Sequence, residues 1–259
     1  MTNSFEGVED ITTFANADAI EAYRANRLNK VALHGDWLAR QTSRPKPYVV
    51  VDVGAGSSSL LYSFAKSGIL DHGIAIEPAR SRHQFAERWR IDGHYENVEN
   101  LCATTDQIPS RPASADMMLY LDNTLSYMYA QNEQHPQLVA STAAEWLRPG
   151  GILVIEVLDY VSMPRVEKYI ETPQDPRFLA SSYYIELLPD GTVISTTTVY
   201  PRNGNAPIKK RDSAKCVRKE CLAQCLKETG FTNVRFFTEG VPWLRDAESP
   251  HYVAVAVRR

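Results

Sequence analysis

Cysteine is scarce in this chain: four residues in 259, at positions 102, 216, 221 and 225. The opening residues Met1 to Glu6 lack the basic and apolar regions of a signal peptide, so a cytoplasmic location without disulfides is expected. Cys221 and Cys225 are four apart in a helical pattern and would share a face; all four read as small buried apolar residues. The six histidines (34, 72, 83, 94, 135 and 251) show no HExxH or paired spacing, so no metal site is expected. No apolar run is long enough to span a bilayer. Neither sign of charge dominates, since 28 Lys and Arg against 31 Asp and Glu leave a net charge of -3. That balance gives no general attraction to nucleic acid or to an anionic membrane. Repeats and low-complexity tracts are missing too. What remains is an ordinary packed chain, 44% hydrophobic and long enough to bury a sizeable core.

The informative stretch runs from Tyr48 to Leu61, YVVVDVGAGSSSLL. A continuous apolar run is the mark of a buried parallel strand, because helices cover both its faces. The two glycines, Gly54 and Gly56, permit a sharp turn and a close approach to a ligand. Asp52 precedes the first glycine by two residues. Glu77 closes the next apolar run, Gly73 to Ile76, where an acid is placed to accept hydrogen bonds from a ribose. The segment reads as a nucleoside-cofactor site.

Around it, strands and helices alternate. One helix is expected from Ala17 to Arg40, stopped by Pro45 and Pro47. Another runs from Ser59 to Lys66, with Gly68 at its C-terminal cap. Pro78 suits the start of a helix through Phe85, Ala86 and Trp89. Further strands are expected at Val98 to Ala103, Asp116 to Leu121 and Ile152 to Val157, with a helix from Pro136 to Leu147 between the last two. Such alternation means βαβ units and a parallel sheet, with the ligand crevice at the carboxyl ends of its strands. A hairpin signal follows: Tyr183 to Leu188 and Thr192 to Tyr200 joined by Pro189-Asp190-Gly191. Then come a helix from Val217 to Thr229 and strands at Asn233 to Phe237 and Tyr252 to Val257. The expected architecture is a single α/β domain over residues 1–259. It comprises a helical cap (1–45), a cofactor-binding core (46–160), an antiparallel lid after strand five (180–215) and a C-terminal part of the core (216–259).

In this order and spacing, the segments Asp52 to Gly56, Glu77-Pro78, Thr104 to Pro109, Asp116 to Leu121, Leu147 to Gly151 and Gly230-Phe231 resemble the class I S-adenosylmethionine-dependent methyltransferases, particularly those acting on small molecules. The resemblance covers the chain from about Ala17 onward. It implies a Rossmann-like, doubly wound, mostly parallel seven-stranded sheet, with S-adenosylmethionine as cofactor and methyl transfer to an N or O atom of a small molecule, specialised metabolism being one setting. Gly54, Ala55 and Gly56 would pass under the methionine part, with Asp52 in support. Glu77, followed by Pro78, would hold the ribose. Thr104, Thr105 and Asp106 would hold the adenine, and Leu121 and Asp122 would lie beside the methyl group. Tyr23, Arg24, His34 and Trp37 could close over the cofactor. The chain departs from the family in two places: Ser58 replaces the third glycine of the loop, and Thr104 stands where an acid is common.

Asp122, Tyr127 and Glu156 are the candidates for acceptor positioning and proton handling, with His251 and His135 in reserve and Asp159 also facing the crevice. Asp122 or Asn123 could equally cap the next helix. Seven basic residues from Arg202 to Lys219 against the single acid Asp212 read as a solvated surface, the sharper alternative being that Arg211 pairs with a substrate anion. In the hairpin, Thr196, Thr198 and Tyr200 share one face and Thr197 and Val199 the other, and either face could cover the substrate. The expected partner is a small molecule, not nucleic acid or membrane, with a homodimer left open. Two other classes stay open. An NAD(P)-dependent oxidoreductase also uses a glycine turn, though its third glycine would fall at Ser59. A catalytically inactive methyltransferase-like binding protein would share the fold.

Overall fold

The computed structural model describes residues 9–162, 165–170, 178–202, 204, 206–244 and 251–259. Seven strands form the central sheet: β1 (Tyr48–Val53), β2 (Leu70–Ile76), β3 (Val98–Leu101), β4 (Ala115–Tyr120), β5 (Leu147–Leu158), β10 (Phe231–Phe237) and β11 (His251–Arg258). Their spatial order is β10-β11-β5-β4-β1-β2-β3. β3, β2, β1, β4 and β5 are parallel; β11 runs antiparallel to both β5 and β10. A dinucleotide-binding sheet runs 3-2-1-4-5-6. Here the last strand is instead inserted between β5 and β10.

Alternation along the strands feeds two cores. Val50, Met117, Leu119, Val154, Val253 and Val255 face α1 (Ala17–Val31), α2 (His34–Ala39), α3 (Ser59–Lys66) and α4 (Arg80–Asp92). Val51, Met118, Tyr120, Ile155 and Ala254 face α5 (Thr124–Gln131), α6 (His135–Trp146) and α7 (Lys219–Glu228). Asp52 follows Val50 by two residues and Glu156 follows Val154 by two. Both acids therefore point to the α1–α4 side, at the carboxyl ends of their strands.

A second sheet of order β6-β7-β8-β9 lies between β5 and α7 in sequence: β6 (Arg165–Ile170), β7 (Phe178–Leu187), β8 (Thr192–Pro201) and β9 (Ile208–Lys215). It is antiparallel throughout.

Several boundaries differ from expectation. The first helix divides at Ala32-Leu33 into α1 and α2, because the chain turns so that His34, Trp37 and Leu38 are buried while Leu33 is left exposed. The lid has four strands rather than two; it begins at Arg165, before the expected boundary at 180. The basic segment contains a strand, β9, which charged side chains hide from a pattern-based reading. The β5 ladder starts at Leu147 and takes in the Arg148 to Gly151 turn. Cysteine is corrected as well. Only Cys225 is buried; Cys216 is half-buried and Cys102 and Cys221 are exposed, since α7 places Cys221 outside its apolar stripe.

Candidate active site

The glycine turn follows β1 directly. Gly54 and Gly56 have φ of +71° and +55°, the left-handed region where a Cβ is disfavoured. A Cβ on Gly54 would stand 2.8 Å from Thr124 Cγ2. Glycine is thus required there for the start of α5 to approach, quite apart from any ligand. A Cβ on Gly56 would stand 3.7 Å from Arg82 Nη1 and 3.8 Å from Glu9 Oε2, so this glycine opens onto charged groups. Ala55 between them is half-buried. Ser58 adopts φ +59°, a left-handed conformation in which glycine is usual, and its hydroxyl donates to Asn100 Oδ1 at 2.7 Å.

Glu77 is buried at the tip of β2. Its two oxygens accept from the Gly56 N–H at 2.9 Å and the Ala79 N–H at 2.8 Å. Burial raises its carboxyl above the ordinary value, against the pull of the Arg82 guanidinium. Asp52 is pushed up to about 7, by burial first and then by the charge of Glu77. Arg82 answers this crowding of acids. It lies 4.0 Å from Glu77 and pairs with Glu9 at 3.1 Å. Tyr23 donates to the same Glu9 and packs on Phe14 and Phe85. Pro78 is exposed beside this cluster.

Across the crevice, β4 ends and the chain passes through Leu121, Asp122 (φ +51°) and Asn123 (φ +64°) into α5. Neither Asp122 nor Asn123 caps that helix. Thr124 closes the turn on the Leu121 carbonyl instead, at 2.8 Å. The Asn123 amide donates to the Tyr160 hydroxyl at 2.6 Å and its oxygen accepts from the Leu158 N–H at 3.1 Å, tying β4 to β5. Asp122 lies between protein walls yet remains open to water. Its surroundings push the carboxyl up, and the charges of Lys30, Arg27, Arg82 and His251 together outweigh them, leaving it below the ordinary value.

Glu156 is buried on β5. It accepts from Trp243 Nε1 at 3.2 Å and lies 3.4 Å from the Asp122 N–H, with His251 Nε2 3.9 Å away. The register pairs His251 with Leu158 and Val253 with Glu156, making His251 and Glu156 diagonal neighbours on one face. Burial, then the charge of Asp122, raises Glu156 to about 7. Asp116 offers the contrast of a structural acid. Also buried in a strand, it accepts from the Val49 N–H at 2.8 Å and pairs with both Arg44 and Arg148.

Trp243 stacks on His34 with ring centroids 3.9 Å apart. The His34 Nδ1 lies 3.1 Å from the Val31 carbonyl, which can only accept, so Nδ1 carries the proton. Burial pulls His34 down to about 4, leaving it neutral at pH 7. Trp37 packs on Phe237 and Trp243 as core. Arg24 turns away: it pairs with Glu21 and Asp92 and lies over Phe85 and Trp89, so it does not close the site.

Other expected residues are placed as follows. Thr104, Thr105 and Asp106 form a short 3-10 turn at the edge, with Thr104 and Gln107 capping each other and Asp106 exposed. Tyr127, on α5, packs against the apolar cluster under the lid formed by Tyr160, Ile185, Val193 and Ala214. That cluster settles which face of the hairpin turns inward: the row of Val193, Thr197 and Val199, not Thr196, Thr198 and Tyr200. Asp159 caps its own turn through Ser162 rather than serving the crevice. His135 bonds the Met128 carbonyl. Arg211 is exposed on the outer face of β9. A separate cavity of about 710 Å³ lies between the hairpin turn and α7, near Lys215, Cys216 and Cys221, and none of the expected site residues lines it.

The residues missed from sequence are Glu9, Arg27, Lys30, Arg82 and Trp243. Each is a charged or aromatic residue whose surroundings come from packing between segments far apart in sequence.

No family model matches the chain, and no curated protein matches it in sequence. Solved structures do. The CcbJ methyltransferase from Streptomyces caelestis is 15% identical, with a TM-score of 0.69, over 88% of this chain and 89% of that one. An S-adenosylmethionine-dependent methyltransferase from Clostridium acetobutylicum is 12% identical, with a TM-score of 0.68, over 89% and 91%. CalS10, an amino pentose methyltransferase from Micromonospora echinaspora solved with S-adenosylmethionine bound, is 14% identical, with a TM-score of 0.63, over 88% and 91%. At such identities the likeness is one of fold, and the fold is that of the class I S-adenosylmethionine-dependent methyltransferases.

Proposed function

We propose that this chain transfers a methyl group from S-adenosylmethionine to an N or O atom of a small molecule. The observation that carries the reading is the buried Glu77 carboxylate fixed against Gly56, at the mouth of a glycine turn in this fold. Each of its oxygens has one backbone donor and keeps a lone pair for a ribose hydroxyl. The donor set fits the rest of the cofactor too. Gly54 and Gly56 leave the turn without side chains, and Asp52 stands behind it. Arg27, whose Nε is buried without a hydrogen-bond partner among the described residues, would hold the cofactor carboxylate together with Lys30. Thr104, Thr105 and Asp106 would border the adenine, and Leu121 the methionine chain.

The bound cofactor would supply an already activated methyl group. What the protein must add is alignment, exclusion of water and removal of a proton. Glu156 suits the last task. A carboxylate titrating near 7 is ionised in about half the molecules at neutral pH and can take a proton from an acceptor N–H or O–H. Asp122 and Tyr127 would orient the acceptor beside it. Trp243 and neutral His34 would wall the site, with Trp243 holding Glu156 in place.

Calorimetric titration with S-adenosylhomocysteine tests the assignment. Wild type should bind, and Glu77→Ala should bind more than about tenfold more weakly, since hydrogen bonds to a charged acceptor contribute roughly 1.5–3 kcal/mol each. No binding by wild type, or unchanged affinity in the variant, would sink it.

A further inference from the structure

The basic segment contains one acid, and that acid turns inward. Along β9, residues 209, 211 and 213 are exposed while 210, 212 and 214 are covered. Ala214 lies in the apolar cluster with Tyr160, Ile185 and Val193, which fixes the inner face. The register sets Asp212 opposite Ser195, in one row with Ile185 of the cluster, and Lys210 opposite Thr197, in the next row with Tyr183. The inner row of β9 therefore turns from apolar Ala214 to polar Asp212 and Lys210 at the edge of the cluster. β9 packs on α5, the helix of Tyr127. Tyr127 packs from α5 against the same cluster as Ala214, and the charges of Asp122 and Asp212 both act on its phenol. Asp212 Oδ1 is buried and has no hydrogen-bond partner among the described residues.

An orphaned carboxylate oxygen at a polar boundary is costly unless a donor arrives with the ligand. A metal ion does not fit, because no group of three or more His, Cys, Asp or Glu side chains among the described residues is arranged to hold one. A hydroxyl would satisfy a lone pair without forming an ion pair. An organic ammonium does both.

On the methyltransferase reading above, we propose that Asp212 is the specificity-determining residue of the acceptor site, seating a cationic amine of the substrate. The seated group is an anchor and not the atom methylated. A nitrogen held as an ammonium has its lone pair in an N–H bond and cannot attack. The acceptor is therefore bifunctional, with a cationic amine under the lid and a second N or O nucleophile directed at Glu156.

The test uses the full chain saturated with S-adenosylhomocysteine and two probes of similar shape, 4-aminobutan-1-ol and butane-1,4-diol. Binding is followed by NMR shifts, with calorimetric binding of S-adenosylhomocysteine measured on the same samples. Wild type should bind the amino alcohol saturably and more tightly than the diol. Asp212→Asn should weaken the amino alcohol by about tenfold, the loss of one charge-assisted contact, and leave the diol unchanged. Arg211→Gln, on the outer face, should change neither. Asp212→Asn should also keep or raise the thermal midpoint, because Oδ1 has no hydrogen bond among the described residues to lose. Equal binding of the two probes, absence of saturable binding by the amino alcohol, an unaffected Asp212→Asn, or a lowered midpoint in that variant would overturn the proposal. Failure of wild type to bind S-adenosylhomocysteine would instead overturn the methyltransferase reading.

Discussion

Ser58 shows how one side chain reshapes a motif. It occupies a left-handed conformation that costs a non-glycine residue about 1–2 kcal/mol, and its hydroxyl bonds Asn100, which also donates to Tyr62 and Glu87. Strain and hydrogen bond are of similar size and opposite sign. Ser58→Ala keeps the strain and loses the bond, and should lower stability by about 1–2 kcal/mol. Ser58→Gly loses both and should lie within about 1 kcal/mol of wild type. Thermal denaturation of the pair checks this. Glu156 carries the second residue-scale prediction. With its carboxyl near 7, kcat/KM should rise through that pH as the base is freed. Glu156→Gln should remove this limb and lower the rate by roughly 10²-fold or more. A pH profile unchanged in the variant would remove Glu156 from proton handling.

Elements matter because they bring together residues far apart in sequence. The 3-10 turn Pro242–Leu244 delivers Trp243 to both His34 of α2 and Glu156 of β5. Trp243→Phe would keep the stack and lose the hydrogen bond that favours the ionised carboxylate. The acid limb of the rate profile should then move to higher pH, which steady-state kinetics across pH would show. Trp243 also marks where the sequence stopped being readable. The parallel core could be read from Val49 to Leu61 and from Ile152 to Val157, because continuous apolar runs and glycine turns are local signals. Glu77 could be read because it ends such a run. Arg82, Arg27 and Trp243 could not, because their roles come from packing between α1, α4 and the C-terminal turn, which no spacing expresses. β9 escaped for a different reason: Lys209 and Arg211 point outward on an alternating strand, and only pairing with β8 shows that Asp212 points in.

At the scale of the whole molecule, the site holds acids at the expense of the apo protein. Asp52 and Glu156 have ordinary values of 3.8 and 4.5 and folded values of about 7. Between those limits the folded state keeps protons that the unfolded chain has released, so their contribution to stability falls as pH rises and is gone above 7. Glu156→Gln should therefore gain thermal midpoint relative to wild type between pH 5 and pH 8, as calorimetry at both values can measure. Ligand should act in the same place. At a hundredfold excess over Kd, S-adenosylhomocysteine should add about 2.7 kcal/mol. For a chain of this size that is a rise of roughly 5–10 °C in Tm.

β11 has a consequence for biosynthesis. Among the described strands it is the last to be made, yet it lies inside the sheet, with β5 on one side and β10 on the other. Until it leaves the ribosome, β5 has an open edge and Glu156 lacks the neighbouring strand that brings His251 alongside. The nascent chain can pair β1 to β5 early, while the contact between Glu156 and His251 must wait until β11 has been made.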